Sequence, residues 1–177
     1  MKKQHLLILI IVIALGVLAF LFPRYLKNGG AVITDFDSCV AAGNSILKSY
    51  PAQCVTQDGK TFVENIGNAA EKKDLIRVTR PSPREKISTP LTISGEARGY
   101  WYFEASFPIE LLDSNGNSLA VSFATAQSEW MTENFVPFEA TLIYTKPATK
   151  TGILILKKDN PSGLPEHDDS IEIPVPF

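Results

Sequence analysis

Residues 105–123 read ASFPIELLDSNGNSLAVSF and decide the fold of the larger part of the chain. Every second residue of 105–111 is apolar, which places one face of a β-strand in a core and the other towards solvent. Asn115-Gly116 is a dipeptide typical of a two-residue hairpin turn. Beyond it the alternation continues on a returning strand, through Leu119, Val121 and Phe123. The stretch therefore predicts an antiparallel hairpin.

Five other segments of the chain also have the pattern of short strands, four by alternation and one by a nearly continuous apolar run. They are Leu75–Val78, Leu91–Ala97, Phe138–Tyr144, Thr151–Leu156 and Ile171–Val175. With the hairpin they make about seven short strands within residues 75–177, separated by turn-forming residues and without a long helical pattern. This count predicts an all-β, immunoglobulin-like β-sandwich with an apolar core. Thr151–Leu156 is nearly all apolar, as expected for a central strand covered on both faces.

Several of these segments resemble the Gmad2 family, which comprises immunoglobulin-like domains named from bacterial spore-germination proteins. Residues 88–97, STPLTISGEA, resemble the opening of that family. Further matches follow in the family's order: Phe103–Phe107, Leu112-Asp113 with Gly116, Trp130-Met131 and Phe138–Ala140. The resemblance implies a non-catalytic, extracytoplasmic module without catalytic residues. The partner domain usual in germination proteins is not found in this sequence, so a sporulation role does not follow.

An N-terminal apolar segment, Leu6–Phe22, contains seventeen residues without a charge. As a helix it would extend roughly 26 Å, near the lower limit for crossing a bilayer core. The segment is longer than the apolar part of a typical signal peptide, and Pro23–Lys27 is a poor cleavage region. We therefore expect residues 1–27 to be an uncleaved single-pass transmembrane anchor. The short basic tail at Lys2-Lys3 favours a cytoplasmic N-terminus and an extracytoplasmic bulk.

Two cysteines, Cys39 and Cys54, lie just after the anchor. In an exported segment such a pair predicts a disulfide bond. We expect it to hold together a small juxtamembrane unit over residues 28–65, with a helical turn at Val40–Ala42 capped by Asp37 or Ser38. Residues 66–74 are polar and predict a linker to the strand-rich domain.

Within the small unit, Asp58-Gly59 predicts a hairpin turn. The surrounding residues 54–62, CVTQDGKTF, also resemble the central loop of Kazal protease inhibitors. That family has six cysteines, whereas this chain has two, so the crosslinks that hold the inhibitory loop rigid are missing. Inhibition of an extracellular protease is kept as an alternative function.

The charge distribution restricts the classes of ligand. Residues 74–177 contain 14 acidic and 9 basic side chains, a net charge of −5, without a basic run. This argues against nucleic acid as a partner. Asp113, Asn115 and Asn117 have the spacing of the start of a calcium loop, but the later acidic ligand is missing. We expect no metal, no cofactor and no enzymatic activity.

An unusual aromatic cluster follows the second predicted strand of the domain, at Tyr100, Trp101 and Tyr102, with Phe103 next to it. Adjacent aromatic residues cannot all face the core of a strand, and Trp and Tyr are common in binding hot spots. Trp130 in a later connection is a second candidate. We predict a partner-binding surface formed by Tyr100, Trp101, Tyr102 and Trp130. The alternatives are that Trp101 and Phe103 close the end of the core, and that Trp130 with Met131 caps it.

These observations predict a membrane-anchored immunoglobulin-like module of the bacterial cell envelope. Its expected partners are the membrane, through the N-terminal helix, and another envelope protein or a cell-wall component. The alternatives are an inhibitor of an extracellular protease and a passive spacer in an envelope complex.

Overall fold

The computed structural model describes residues 32–177 and divides into two compact units. Within the described residues, the smaller unit comprises the chain up to Leu47 together with Gln53–Val63, and the larger comprises Lys48–Ala52 together with Glu64–Phe177. The predicted anchor at Leu6–Phe22 lies outside the described residues. Among residues 32–177, no helix has the length and apolar character needed to cross a membrane.

The smaller unit contains helix α1, Phe36–Ala41, and a three-stranded antiparallel sheet. Its strands are β1, Ser45–Leu47, β2, Gln53–Val55, and β3, Thr61–Val63. The helix begins four residues earlier than predicted because Asp35 is its N-cap. The Asp35 carboxylate accepts from the Ser38 amide at 2.7 Å, and the Ser38 hydroxyl accepts from the Asp35 amide at 3.1 Å. This reciprocal pair satisfies two amides at the start of the helix.

The predicted disulfide bond is confirmed and joins the helix to the sheet. Cys39 on α1 and Cys54 on β2 are bonded, and both are fully buried. The predicted turn between β2 and β3 is also present, and Gly59 has a φ of +83° there. Such a φ is accessible to glycine without strain.

The larger unit contains a short helix and seven strands. The helix α2 is Ala69–Lys72. The strands are β4, Ile76–Arg80, β5, Leu91–Arg98, β6, Ser106–Asp113, β7, Ser118–Ala126, β8, Phe135–Leu142, β9, Thr151–Lys157, and β10, Ser170–Pro176. All neighbouring strands are antiparallel, in the order β10-β9-β6-β7-β8-β5-β4. The prediction of seven strands in an all-β domain is confirmed.

One core lies between the inward faces of these strands. β7 and β8 pair only at Thr125–Glu139 and Ala126–Phe138, so the sheet is nearly divided there. Alternate residues from both sides of this division belong to a single buried cluster, which includes Ile93, Phe107, Phe138, Leu154 and Ile171. The sheet therefore folds over an apolar interior, as in a sandwich.

The second strand of the opening hairpin faces the opposite way from the prediction. Leu111 pairs with Ala120 and Leu112 with Ser118, so Leu119 forms a bulge. An extra residue inverts the facing of all later side chains. As a result, Val121 and Phe123 are 63% and 58% exposed.

Strand β9 is fully covered on one face only, contrary to the prediction. Leu154 and Leu156 are completely buried, whereas Ile153 and Ile155 on the outer face are half-buried. The apolar run therefore belongs to a strand with one buried face and one half-buried face, rather than to a strand between two layers.

Residues 66–74 are part of the larger unit rather than a linker. Ile66 and Ala69 are buried in its core. The Asn68 side chain accepts from the Glu172 amide at 2.8 Å and donates to the Ser170 carbonyl at 3.0 Å. These hydrogen bonds pair backbone groups on the outer edge of β10 that would otherwise lack a partner strand. The burial of Ile66 and Ala69 was not predicted because most residues of the segment are polar or small.

Candidate functional site

The strand order places three loops at one end of the larger unit. Strands β5, β7 and β9 end there, and their antiparallel neighbours β8, β6 and β10 begin there. The connections at this end are residues 99–105, 127–134 and 158–169, which we call the loop end. Both predicted aromatic segments therefore lie at the same end of the domain.

Backbone hydrogen bonds join the loop end to its surroundings and hold the loops to one another. The Gly99 amide donates to the Asn134 carbonyl at 3.1 Å, and the Asp159 amide donates to the Trp101 carbonyl at 3.0 Å. A β-carbon at Gly99 would lie 1.9 Å from the Thr132 carbonyl oxygen, so the first two loops approach each other too closely for any other residue. Any side chains exposed here are presented on a fixed backbone.

Trp101 and Tyr102 are buried, which for Trp101 agrees with the stated alternative that it closes the end of the core rather than forming an exposed contact surface. A 3₁₀ turn, Gly99–Trp101, breaks the strand periodicity and directs Trp101 into the core, where it is 0% exposed. The Tyr102 hydroxyl donates to the Val136 carbonyl at 2.7 Å, and its ring packs edge-on against Phe107. Burial raises the pKa of Tyr102 well above its ordinary value. Neither side chain has surface available for binding.

Other apolar side chains at the loop end remain accessible. Tyr100 is 51% exposed, Phe103 41% and Met131 74%, while Trp130 is half-buried against the core. We call these four residues the rim surface. Phe103 and Met131 lie next to the predicted residues Tyr102 and Trp130 in the sequence, and both are exposed.

A turn with unusual backbone angles lies in the first loop and includes Phe103 of the rim surface. Phe103 and Ser106 exchange two backbone hydrogen bonds, of 3.0 and 3.1 Å, around Glu104 and Ala105. These two residues have φ values of +49° and +62°, which glycine or asparagine usually supplies in such a turn. Backbone strain of this kind is concentrated at functional positions in proteins.

The loop end is also strongly acidic. Its three loops contain seven acidic side chains and one lysine. Two basic side chains from outside the loops contact them: Lys72 forms an ion pair with Asp169, and Arg98 donates to the Glu133 carbonyl at 3.2 Å. Burial, followed by the nearby Glu104 carboxylate, raises the pKa of Asp159 above its ordinary value.

Acidic residues elsewhere have local structural roles. The Asp113 carboxylate accepts from the amides of Asn115 and Asn117, each at 2.9 Å, and from the Asn117 side chain at 3.0 Å. These bonds, with the Asn117 side chain as the largest contribution, lower the pKa of Asp113. The calcium-like spacing therefore belongs to a hairpin turn. Within residues 32–177, no three His, Cys, Asp or Glu side chains converge on a position that could hold a metal ion.

The fold and its apolar core agree with a comparison against protein families. The model of the Gmad2 family, described as an immunoglobulin-like domain of bacterial spore germination, matches residues 75–163. Comparisons with curated proteins and with solved structures gave no significant match. The family match covers half of the chain and includes strands β4 to β9 and two of the three loops of the loop end in full. The chain belongs to the Gmad2 family.

Proposed function

We propose that the protein is a membrane-anchored, extracytoplasmic module that binds another component of the bacterial cell envelope through the rim surface. The observation that carries the proposal is the exposure of Tyr100, Phe103 and Met131 on loops that are fixed by backbone hydrogen bonds. Aromatic and methionine side chains are enriched at protein interfaces, and fixed loops lose little entropy on binding. Membership of a family of immunoglobulin-like domains supports a binding or structural role rather than catalysis.

The expected location rests on two features of the N-terminal part. Leu6–Phe22 has the length and composition of a short transmembrane helix. The Cys39–Cys54 disulfide is of the kind that persists in oxidising compartments. Both support a chain whose folded part lies outside the cytoplasm.

A photocrosslinking experiment tests the binding role. A photoreactive amino acid replaces Tyr100 in the full-length protein, and native membranes are irradiated before mass spectrometry. We expect one predominant adduct with an envelope component. Met131→Ser should reduce its yield, because removing an interface anchor weakens binding by about tenfold or more.

The matched control carries the photoreactive residue at Ile143, which is 77% exposed at the opposite end of β8. An adduct from Tyr100 but not from Ile143 supports the proposal. Equal labelling from both positions, or none from Tyr100, would contradict it. An adduct with a secreted protease would identify the rim surface as inhibitory, and adducts from Ile143 alone would favour a spacer.

A further inference from the structure

The excess of acidic over basic side chains in residues 74–177 lies in the three loops of the loop end. Residues 74–177 contain 14 acidic and 9 basic side chains, and the loop end accounts for 7 of the acidic and 1 of the basic ones. The rest of this segment therefore contains 7 acidic and 8 basic side chains, a net charge of +1. Lys72 pairs with Asp169 at this end, and the exposed carboxylates of the first two loops are Glu104, Glu129 and Glu133. An approaching cation is attracted to these three residues.

The positions of the carboxylates at the loop end suit a ligand with several separate positive charges better than a single metal ion. No three of them converge within the described residues, so a single ion would lack the oxygen ligands it requires. Glu104, Glu129 and Glu133 are all exposed and are distributed over two loops. Charges spread over such a surface complement several basic side chains at once.

The exposed rings add a second complementary feature. Tyr100 and Phe103 lie in the same loop as Glu104. Arginine guanidinium groups stack on aromatic faces, and the carbon stems of arginine and lysine cover apolar surface. A basic side chain can therefore pair with a carboxylate while its stem packs on a ring.

On the basis of the proposed function, we infer that the rim surface binds a partner segment rich in arginine and lysine. The acidic residues increase the rate of encounter, and Tyr100, Phe103 and Met131 form the apolar contacts once the segment is seated. The partner is thus a basic polypeptide exposed on the outer side of the membrane.

A binding measurement with defined probes tests this inference. The full-length protein is titrated with a short labelled peptide of arginine and glycine, and with a counterpart in which glutamate replaces arginine. Fluorescence anisotropy reports binding at about 50 mM and about 200 mM salt, a range over which screening of exposed charges increases strongly. We expect binding of the basic peptide alone, with affinity falling about tenfold across that range.

Charge-neutralising variants localise the interaction. Glu104→Gln, Glu129→Gln and Glu133→Gln together should weaken binding of the basic peptide by about tenfold, and Tyr100→Ser by about threefold. The matched control combines Glu85→Gln, Glu139→Gln and Glu172→Gln, which change the net charge equally away from the loop end and should leave affinity unchanged.

The outcomes separate this inference from the proposed function. Equal weakening by the two triple variants would overturn the inference, because the interaction would then follow net charge alone. A Tyr100 adduct in membranes whose yield is insensitive to salt would also overturn it, while leaving the proposed function intact. The absence of any Tyr100 adduct would contradict the proposed function itself.

Discussion

At the scale of single residues, neighbouring aromatic side chains differ sharply in burial. Tyr100 is exposed, whereas Trp101 and Tyr102 are buried, because a 3₁₀ turn replaces the strand periodicity at Gly99–Trp101. The sequence indicated that the cluster could not face one way. It could not indicate which rings turn inward, since that depends on the close approach of Gly99 to a loop about thirty residues later in the chain.

The buried hydroxyl of Tyr102 should stabilise the domain. Tyr102→Phe removes the buried hydrogen bond to the Val136 carbonyl, so we expect a loss of about 1 kcal/mol in the free energy of unfolding. Urea-induced unfolding measures the loss. Tyr100→Phe is the matched control, because its ring is half exposed and the substitution should change stability by less than about 0.5 kcal/mol. Equal effects of the two substitutions would disprove the assignment.

The Asp113 turn predicts a specific dependence of stability on pH. The folded state lowers the pKa of Asp113, so its contribution is fully present above the ordinary value, near 4, and is lost as the pH falls through the lowered folded value. Asp113→Asn should therefore lower the melting temperature at pH 7, and the difference from the native protein should shrink below about pH 4. Glu139→Gln, an exposed control on β8, should show no such convergence. A difference that is constant with pH would refute the role of the carboxylate.

At the scale of elements, strand number was easier to predict than strand facing. The seven alternating segments became seven strands because alternation and turn residues are local properties of the chain. The bulge at Leu119 was missed because it depends on pairing with Leu111 and Leu112 across the hairpin. The start of α1 was also missed. The sequence offers several capping residues close together, and only the structure shows that Asp35 and Ser38 form the reciprocal hydrogen bonds of the cap.

The disulfide should be essential to the smaller unit. Closing a loop with a sequence separation of 15 contributes about 3 kcal/mol. Among the residues of this unit from Val32 onward, the buried apolar side chains are Phe36 and the two cysteines. Replacing Cys39 and Cys54 together by Ser should make this unit sensitive to proteolysis near residues 43–47. Tryptophan fluorescence should be unchanged, because both tryptophans, Trp101 and Trp130, belong to the larger unit. Undiminished protease resistance would show that the bond is dispensable.

At the scale of the whole molecule, the chain combines an N-terminal apolar segment with a domain that has acidic and aromatic side chains exposed at one end. The immunoglobulin-like domain was predictable because its strands and turns follow local rules, and the family match agrees with it. The concentration of charge at one end was not evident from the net charge, because it requires the strand order that brings three distant loops together.

The central claim is that the folded part of the chain is held outside the cytoplasm, where its loop end can meet a partner. The most direct measurement places a single reactive thiol at an exposed position, Lys150→Cys, while the native cysteines remain bonded to each other. Intact cells are then treated with a maleimide that cannot cross membranes. We predict labelling of the membrane-bound protein in intact cells at the level seen after lysis. Labelling that appears only after lysis would contradict the claim.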